Sequence, residues 1–368
     1  MITDNELEVG SNYLHLIHNC IKDYDFEMGV YLFGAGPHGR AAKKYLNENG
    51  IIVVNYLDND KKKQGKNIDG IEVISLESIS NNPQTLILIT ARHSVISVKR
   101  QLDEKNLYSL SFDAYFVYKN IDSIKKLRNI FLHDDISLLS LDAIIETMLT
   151  GNKSYLINVI NDKQYFALPE FINIGNDYFV DAGAYVGDSI EKFIWANNGV
   201  FNQIYAFEPG NSQRLSASIR IKRLCAEWAI DNTKITLVSS GLSDRDGDVE
   251  ICLSPDMLQT TSVGCIPFDS SVHCDKVNVC SLDTYLDGRP ATFIKADIEG
   301  SEMAMLRGAK NTIQLYKPKM ALSIYHEPTD LYKIAEYVHE LVPEYSLALR
   351  HHSPTLMETV LYCWIAEI

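Results

Sequence analysis

The sequence has no C-x-x-C pair, and its seven cysteines are an odd number scattered along the chain. Such usage indicates reduced thiols and argues against a disulfide framework. No apolar run approaches the roughly eighteen residues that a membrane span requires. The first residues are acidic and lack a charged segment followed by an apolar one. We therefore expect a cytoplasmic protein without a transmembrane segment.

Positive charge is also scarce: 34 Lys and Arg residues stand against 48 Asp and Glu residues, which gives a net charge of −14. Proteins that bind nucleic acid need a basic face that releases counterions from the phosphates. The basic run Lys61-Lys62-Lys63 lies in a predicted turn beside Asp58 and Asp60, which is typical of a solvated loop. We expect no nucleic-acid partner.

Internal repeats and low-complexity segments are absent, so the organisation must be inferred from hydrophobic patterns. The length of 368 residues is sufficient for two α/β domains. We predict a Rossmann-like domain over 1–118, a helical connector over 119–164 and a larger domain over 165–368. The strands predicted in the larger domain are 179–181, 204–207, 235–239, 293–296, 319–325, 346–349 and 359–365.

The larger domain opens with a short apolar strand that leads into a glycine-spaced loop. Asp181, Gly183 and Gly187 form the pattern D-x-G-x-x-x-G, and Glu208 ends the next strand. A carboxylate about twenty residues after such a loop can accept both hydroxyl protons of a ribose. Asp181 would repel a pyrophosphate, whereas S-adenosylmethionine carries no phosphate and has cationic groups. The alternative is that these are ordinary turn and capping residues.

Further blocks follow in order, and with them the chain resembles the FkbM family of S-adenosylmethionine-dependent methyltransferases. The blocks are Val180-Asp181-Ala182-Gly183-Ala184, Ala206-Phe207-Glu208-Pro209, Ser281-Leu282-Asp283, Lys295-Ala296-Asp297-Ile298-Glu299-Gly300-Ser301-Glu302, Ser323-Ile324-Tyr325-His326 and Glu358-Thr359-Val360-Leu361-Tyr362. The resemblance covers most of residues 165–368. It implies a class I methyltransferase fold, with a seven-stranded sheet whose last strand is antiparallel. It also implies O-methylation of a sugar or another hydroxylated acceptor.

The resemblance also implies which residues bind the cofactor, S-adenosylmethionine. The residues expected around its methionine part and ribose are Asp181, Gly183, Tyr185, Gly187 and Glu208. Ser240 and Asp244 would flank the adenine, although a turn rich in Ser and Asp explains them equally well.

Two strand ends supply the candidate catalytic residues. Asp297 and His326 each follow a strand at the edge where open α/β sheets bind ligands, and either can take the proton of an alcohol. Asp297 could instead hold the acceptor, and His326 could be a structural residue bonded to the backbone. Glu299 and Glu302 follow Asp297 at a helix start, where acids also serve as partners of the helix dipole. The spacing of these residues is not a metal signature, so no metal is predicted.

The first domain contains a second glycine loop, Gly34-x-Gly36-x-x-Gly39, with Asp58 about twenty residues later. It resembles the small Rossmann-like domains that accompany sugar-modifying enzymes, which implies that these four residues bind a nucleotide-sugar. NAD binding and a vestigial domain that only packs or dimerises remain alternatives.

The sequence thus predicts a methyltransferase that acts on a hydroxyl of a sugar or sugar-nucleotide, with a small-molecule or glycan acceptor as partner. The rival hypotheses are an NAD-dependent redox enzyme and a nucleotide-sugar-binding protein without activity. A homodimer is left open.

Overall fold

A computed structural model describes residues 11–79, 86–172, 175–253, 262–263 and 273–366. These residues form two compact units. The first unit comprises the residues up to Arg128, Leu138–Val159 and Ser353–Leu356. The second comprises Asn129–Ser137, Ile160–His352 and the residues from Met357 onward. The predicted boundaries at 118 and 164 stay predictions.

The first unit is built on a six-stranded sheet with helices beside it. Its elements are α1 (Ser11–Ile21), β1 (Val30–Phe33), α2 (Pro37–Glu48), β2 (Val53–Leu57), β3 (Asn67–Ile68), β4 (Ile71–Ile74), β5 (Ile87–Ile89), α3 (Val95–Glu104), β6 (Ser109–Ser111) and α4 (Phe112–Lys119). The strand order is β3-β4-β2-β1-β5-β6, and all neighbours are parallel except β3 and β4. The order reverses between β1 and β5, which is where such sheets open to ligands.

Three helices follow: α5 (Ile121–Lys126), α6 (Asp135–Thr150) and α7 (Ser154–Ile157). A π-helical turn at Leu127–Phe131 continues α5. In helix α6, Asp135 to Ser137 belong to the second unit and the remaining residues belong to the first.

The second unit is built on a seven-stranded sheet, as predicted. Its elements are β7 (Tyr178–Ala182), α8 (Asp188–Ala196), β8 (Gln203–Phe207), α9 (Asn211–Trp228), β9 (Ile235–Val238), β10 (Ser240–Leu242), β11 (Gly247–Leu253), β12 (Ser262–Val263), β13 (His273–Cys280), α10 (Leu282–Leu286), β14 (Phe293–Ala296), α11 (Glu302–Gly308), α12 (Lys310–Tyr316), β15 (Lys319–Ser323), α13 (Asp330–Leu341), β16 (Tyr345–His351) and β17 (Thr359–Ile365).

The large sheet has the order β16-β17-β15-β14-β7-β8-β9. Strand β17 is antiparallel to both of its neighbours, and the other pairs are parallel. Both the mixed α/β fold class and the antiparallel last strand are therefore confirmed. A second sheet, which the sequence did not predict, has the order β10-β13-β11-β12.

The strands of the large sheet are almost continuously apolar because helices cover both of its faces. Phe179 of β7 stacks on Phe193 of α8 with ring centroids 4.2 Å apart, and Phe293 of β14 contacts both rings. This core fixes the ends of the central strands, where the predicted site residues lie. No helix in the described part of the chain combines the length and apolarity needed to cross a membrane.

Candidate active site

The loop after β7 approaches the end of β14 more closely than a side chain would allow. Gly183 has φ = +81°, and a Cβ atom added there would lie 2.0 Å from the carbonyl oxygen of Asp297. The amides of Gly183 and Ala184 both donate to the carbonyl of Phe207, at 3.1 and 2.9 Å. The glycine is therefore required by backbone packing between neighbouring strand ends.

Glu208 follows β8 at the same edge of the sheet. Its carboxylate accepts the amide of Tyr185 at 2.9 Å and the amide of Gly210 at 2.7 Å. The residue is 5% exposed, and burial raises the pKa of its carboxyl although both amides oppose this. Each oxygen keeps a lone pair for a further donor, such as a hydroxyl of a ribose.

Asp181 is fully buried in β7, where its partners are protein groups. The ammonium of Lys295, on the neighbouring strand β14, lies 3.0 Å from its Oδ1 atom. The hydroxyl of Ser189 donates to its Oδ2 atom. Burial alone would lower the pKa of Lys295, but Asp181 and Asp297 outweigh it and raise that pKa. The carboxylate of Asp181 is thus neutralised beneath the loop.

The remaining predicted cofactor residues lie at the start of α8 and in or just after β10. Gly187 caps the start of α8, where its amide donates to the carbonyl of Ala184 at 2.6 Å. Ser240 lies in β10 and donates to the side chain of Asn278 at 2.8 Å. Asp244 is 3.4 Å from the guanidinium of Arg307. Both side chains therefore have protein partners, and their proposed contact with an adenine stays a prediction.

Asp297 follows β14 and is held by two tyrosines. The hydroxyl of Tyr165 donates to its Oδ2 atom at 2.6 Å, and that of Tyr325 lies 3.2 Å from its Oδ1 atom. Burial would raise the pKa of Asp297, but the charges of His326 and Lys295 and the hydrogen bond from Tyr165 hold it below its usual value. Asp297 is therefore ionised at neutral pH.

His326 lies among three carboxylates in the loop that follows β15. Its Nδ1 atom is 2.9 Å from Glu302, and its Nε2 atom is 3.5 Å from Asp297 and 3.6 Å from Glu299. Burial lowers the pKa of an imidazole, but these carboxylates outweigh it and raise the pKa of His326 to about 10. His326 therefore carries a proton at neutral pH, which favours Asp297 as the group that receives a proton.

The two glutamates differ in their surroundings. Glu302 is fully buried and accepts the amides of Ile298 and Gly300 at 2.8 and 3.0 Å, so it shapes the loop. Glu299 has φ = +54°, and burial raises its pKa to about 7. Ligand atoms of Asp297, Glu302 and His326 all lie within 4.8 Å of one another, which is compact enough for a cation.

The first unit places its glycine loop at the reversal of strand order. A Cβ atom at Gly39 would lie 2.0 Å from the carbonyl oxygen of Gly34, whereas nothing lies within 4 Å of one at Gly36. The carboxylate of Asp58 accepts the amide of Ala35 at 3.0 Å and pairs with Lys63 at 3.1 Å. The space beside Gly36 is therefore open, while Asp58 is already engaged with the loop.

A buried charged group lies in the same unit, and the sequence did not indicate it. Asp113 accepts two bonds from the guanidinium of Arg92, at 2.8 and 3.0 Å, and lies 3.0 Å from the Nε2 atom of His38. Burial opposes the charge on Asp113, but Arg92 and His38 outweigh it and hold the pKa of this carboxyl far below its usual value.

The structure thus brings most of the predicted methyltransferase residues to one edge of the large sheet. Gly183, Glu208, Asp297 and His326 lie there, while Asp181 lies beneath them. Sequence reasoning missed the roles of Tyr165 and Lys295. Tyr165 lies 132 residues before Asp297 and no spacing links the two, whereas a lysine within an apolar strand was a visible signal for a buried partner.

Comparison with domain families gives two matches. Residues 181–345 match the methyltransferase FkbM domain, and residues 27–111 match the C2185-like N-terminal domain. A comparison with curated proteins gave no significant match.

Among solved structures, the chain is similar to the methyltransferase FkbM from Methylobacillus flagellatus KT. The sequences are 22% identical, the TM-score is 0.59, and the match covers 97% of this chain and 96% of the other. A putative rRNA methylase from Clostridium thermocellum is 10% identical over 59% of this chain and 94% of its own, with a TM-score of 0.33. An O-methyltransferase from Bacillus cereus is 11% identical over 75% of this chain and 100% of its own, with a TM-score of 0.31. The last two TM-scores are too low to support a functional comparison. The chain therefore has a fold similar to that of the Methylobacillus flagellatus FkbM methyltransferase, and its residues 181–345 match the methyltransferase FkbM domain.

Proposed function

We propose that the second unit binds S-adenosylmethionine and transfers its methyl group to a hydroxyl of a sugar or sugar-nucleotide. The observation that carries this proposal is the meeting of the Gly183 loop, Glu208 and Asp297 at one sheet edge, within a matched methyltransferase domain. Asp181 is already neutralised by Lys295, and the edge beyond it is rich in carboxylates. This charge suits a cationic, phosphate-free cofactor.

Each residue then has a defined task. The carboxylate of Glu208 accepts ribose hydroxyls, and the Gly183 loop gives the cofactor a close approach to the backbone. When bound, S-adenosylmethionine supplies an electrophilic methyl group and a sulfur leaving group. Asp297 accepts the hydrogen bond of the acceptor hydroxyl and takes its proton as the oxygen forms its new bond to carbon. Tyr165 and Tyr325 fix the orientation of Asp297 for this step.

Calorimetric titration with S-adenosylhomocysteine tests the cofactor assignment. We expect one site per chain, weakened by about 1–3 kcal/mol in Glu208→Ala, because buried polar groups would lose their partner. Glu344→Ala is the control, since this glutamate is exposed and pairs with the exposed Lys317 at 2.7 Å. If the wild-type protein does not bind, or if both variants bind like it, the proposal is wrong.

We also propose that the first unit binds a nucleotide-sugar at the loop between β1 and α2. The open space beside Gly36 and the reversal of strand order support this proposal. Gly36 has φ = −95°, so a valine there fits the backbone but fills the space. Titration with a nucleoside diphosphate sugar should show binding that Gly36→Val abolishes without loss of stability. Binding of NAD instead would support the redox alternative, and binding of neither would leave a purely structural unit.

A further inference from the structure

Lys295 is a buried cation in the middle of the large sheet of the second unit. Its side chain is 3% exposed, and its ammonium has three N–H donors. The ammonium forms an ion pair with Oδ1 of Asp181 at 3.0 Å and donates to the carbonyls of Ala182 and Gly183 at 3.2 and 2.6 Å. The ring of Tyr165 lies 5.2 Å from the same atom. A lysine therefore occupies a buried position of β14 at which an apolar residue would be sufficient to form the strand.

Of the two carbonyls that Lys295 binds, that of Ala182 ends β7 and also accepts the amide of Asp297 at 3.1 Å, whereas that of Gly183 lies in the loop that receives the cofactor in the proposed function. The amides of Gly183 and Ala184 are fixed by the carbonyl of Phe207 on one side. Lys295 fixes the carbonyls of Ala182 and Gly183 on the other side. A carbonyl that accepts a hydrogen bond from the Lys295 ammonium does not point towards the ligand. Lys295 therefore determines which backbone groups of the loop face the ligand.

Burial of a lysine is unfavourable unless a counterion and good hydrogen bonds accompany it. Asp181 supplies the charge, and the register of the sheet places it directly opposite Lys295. Stability alone does not require such a pair, because apolar residues of similar volume often stabilise a protein as well or better. The two carbonyl bonds are what an apolar replacement cannot supply.

We propose that Lys295 is a positioning residue that holds the Gly183 loop in its cofactor-binding form, and that Asp181 serves as its counterion. This inference rests on the proposed function for the identity of the ligand. It goes beyond the expectation that Asp181 contacts the methionine part directly, since Asp181 acts through Lys295.

The second unit offers a matched control at the opposite edge of the same sheet. Lys319, the first residue of β15, pairs with Asp177 at 2.9 Å, and the two side chains are 10% and 2% exposed. Lys319 also lies over an aromatic ring, that of Phe293 at 5.0 Å. The double variants Lys295→Met/Asp181→Asn and Lys319→Met/Asp177→Asn therefore remove similar buried pairs, but only the first lies under the loop.

Two measurements on the full chain test the proposal. Calorimetry with S-adenosylhomocysteine should show affinity reduced about tenfold or more in Lys295→Met/Asp181→Asn, and less than about twofold in the control. Hydrogen exchange without ligand should show faster exchange of the amides at residues 183–187 only in the first double variant. Tryptophan fluorescence verifies that both variants are folded.

The outcomes separate the two proposals. Equal affinities and equal loop exchange in both double variants would overturn the role of Lys295. An equal loss in both would also overturn it, because the effect would then be a general loosening of the unit. If the wild-type protein binds no S-adenosylhomocysteine, the proposed function fails, and the exchange measurement still decides whether Lys295 fixes the loop.

Discussion

The substitution Gly183→Ala should destabilise the second unit more than an alanine placed elsewhere in the same backbone conformation. Gly288 is the matched position, with φ = +79° against +81° at Gly183. Nothing lies within 4 Å of a Cβ atom at Gly288, whereas one at Gly183 would be 2.0 Å from the carbonyl oxygen of Asp297. Both variants incur the cost of a left-handed backbone, but only Gly183→Ala adds a collision.

The magnitudes follow from these two terms. The left-handed conformation costs an L-residue about 1–2 kcal/mol. Real Cβ contacts stay beyond 3.0 Å, so the loop or the end of β14 must move by about 1 Å. Shifts forced by overpacking cost about 1–3 kcal/mol, and backbone atoms cannot rotate away as a side chain can. We expect a loss of about 2–5 kcal/mol for Gly183→Ala and about 1–2 kcal/mol for Gly288→Ala.

Urea unfolding followed by tryptophan fluorescence measures this difference. Trp195, Trp228 and Trp364 all belong to the second unit, so the signal reports its unfolding and not that of the first. Equal losses of unfolding free energy in the two variants would refute the reasoning, because the collision would then contribute nothing. In that case, a cavity or a shift of β14 would have to accommodate the added Cβ atom.

Two further predictions concern ionisable groups in the interior. His352 bonds to the carbonyl of Asn161 and to the hydroxyl of Tyr362, and burial lowers its pKa to about 4. Its unfolded pKa is about 6.5, so the unfolded state takes up the proton first and stability falls from about pH 6.5 toward pH 4, by up to about 3 kcal/mol. His352→Asn should flatten this fall in urea titrations at several pH values, and an unchanged slope would contradict the prediction. Asp113→Asn should destabilise the first unit by about 3–5 kcal/mol, because it leaves the partly buried guanidinium of Arg92 without its counterion. Hydrogen exchange of β1 and β5 measures this loss, and protection equal to that of the wild-type protein would disprove it.

The strands that form the large sheet could be predicted because their sequence signal is local. The predicted and observed bounds agree at Phe293–Ala296 and Thr359–Ile365. Strands covered on both faces are apolar runs, and such runs stand out against the charged helices between them. The glycine loops were equally visible, since their spacing follows from close approach of the backbone.

The smaller sheet was missed because its strands carry polar residues and pair over long distances. Glu250 of β11 lies opposite Lys276 of β13, and Ser240 of β10 pairs with Asn278 in parallel. Neither of these cross-strand pairings produces a periodic pattern in the sequence. The partners of Asp297 were missed for the same reason, since only the fold brings Tyr165 to it. The pair Asp181 and Lys295 could have been inferred, because two charged residues in buried strands must neutralise each other.

Strand β17 lies between β15 and β16, although it is the last of the three along the chain. It forms four register pairs with β15 and seven with β16, all antiparallel. A nascent polypeptide on the ribosome therefore cannot complete this sheet before residues 359–365 have been made. Until then β15 presents an unpaired apolar edge, which is the kind of surface that chaperones protect. Folding of the second unit should accordingly finish only after residues 359–365 have been translated, whatever the first unit has already formed.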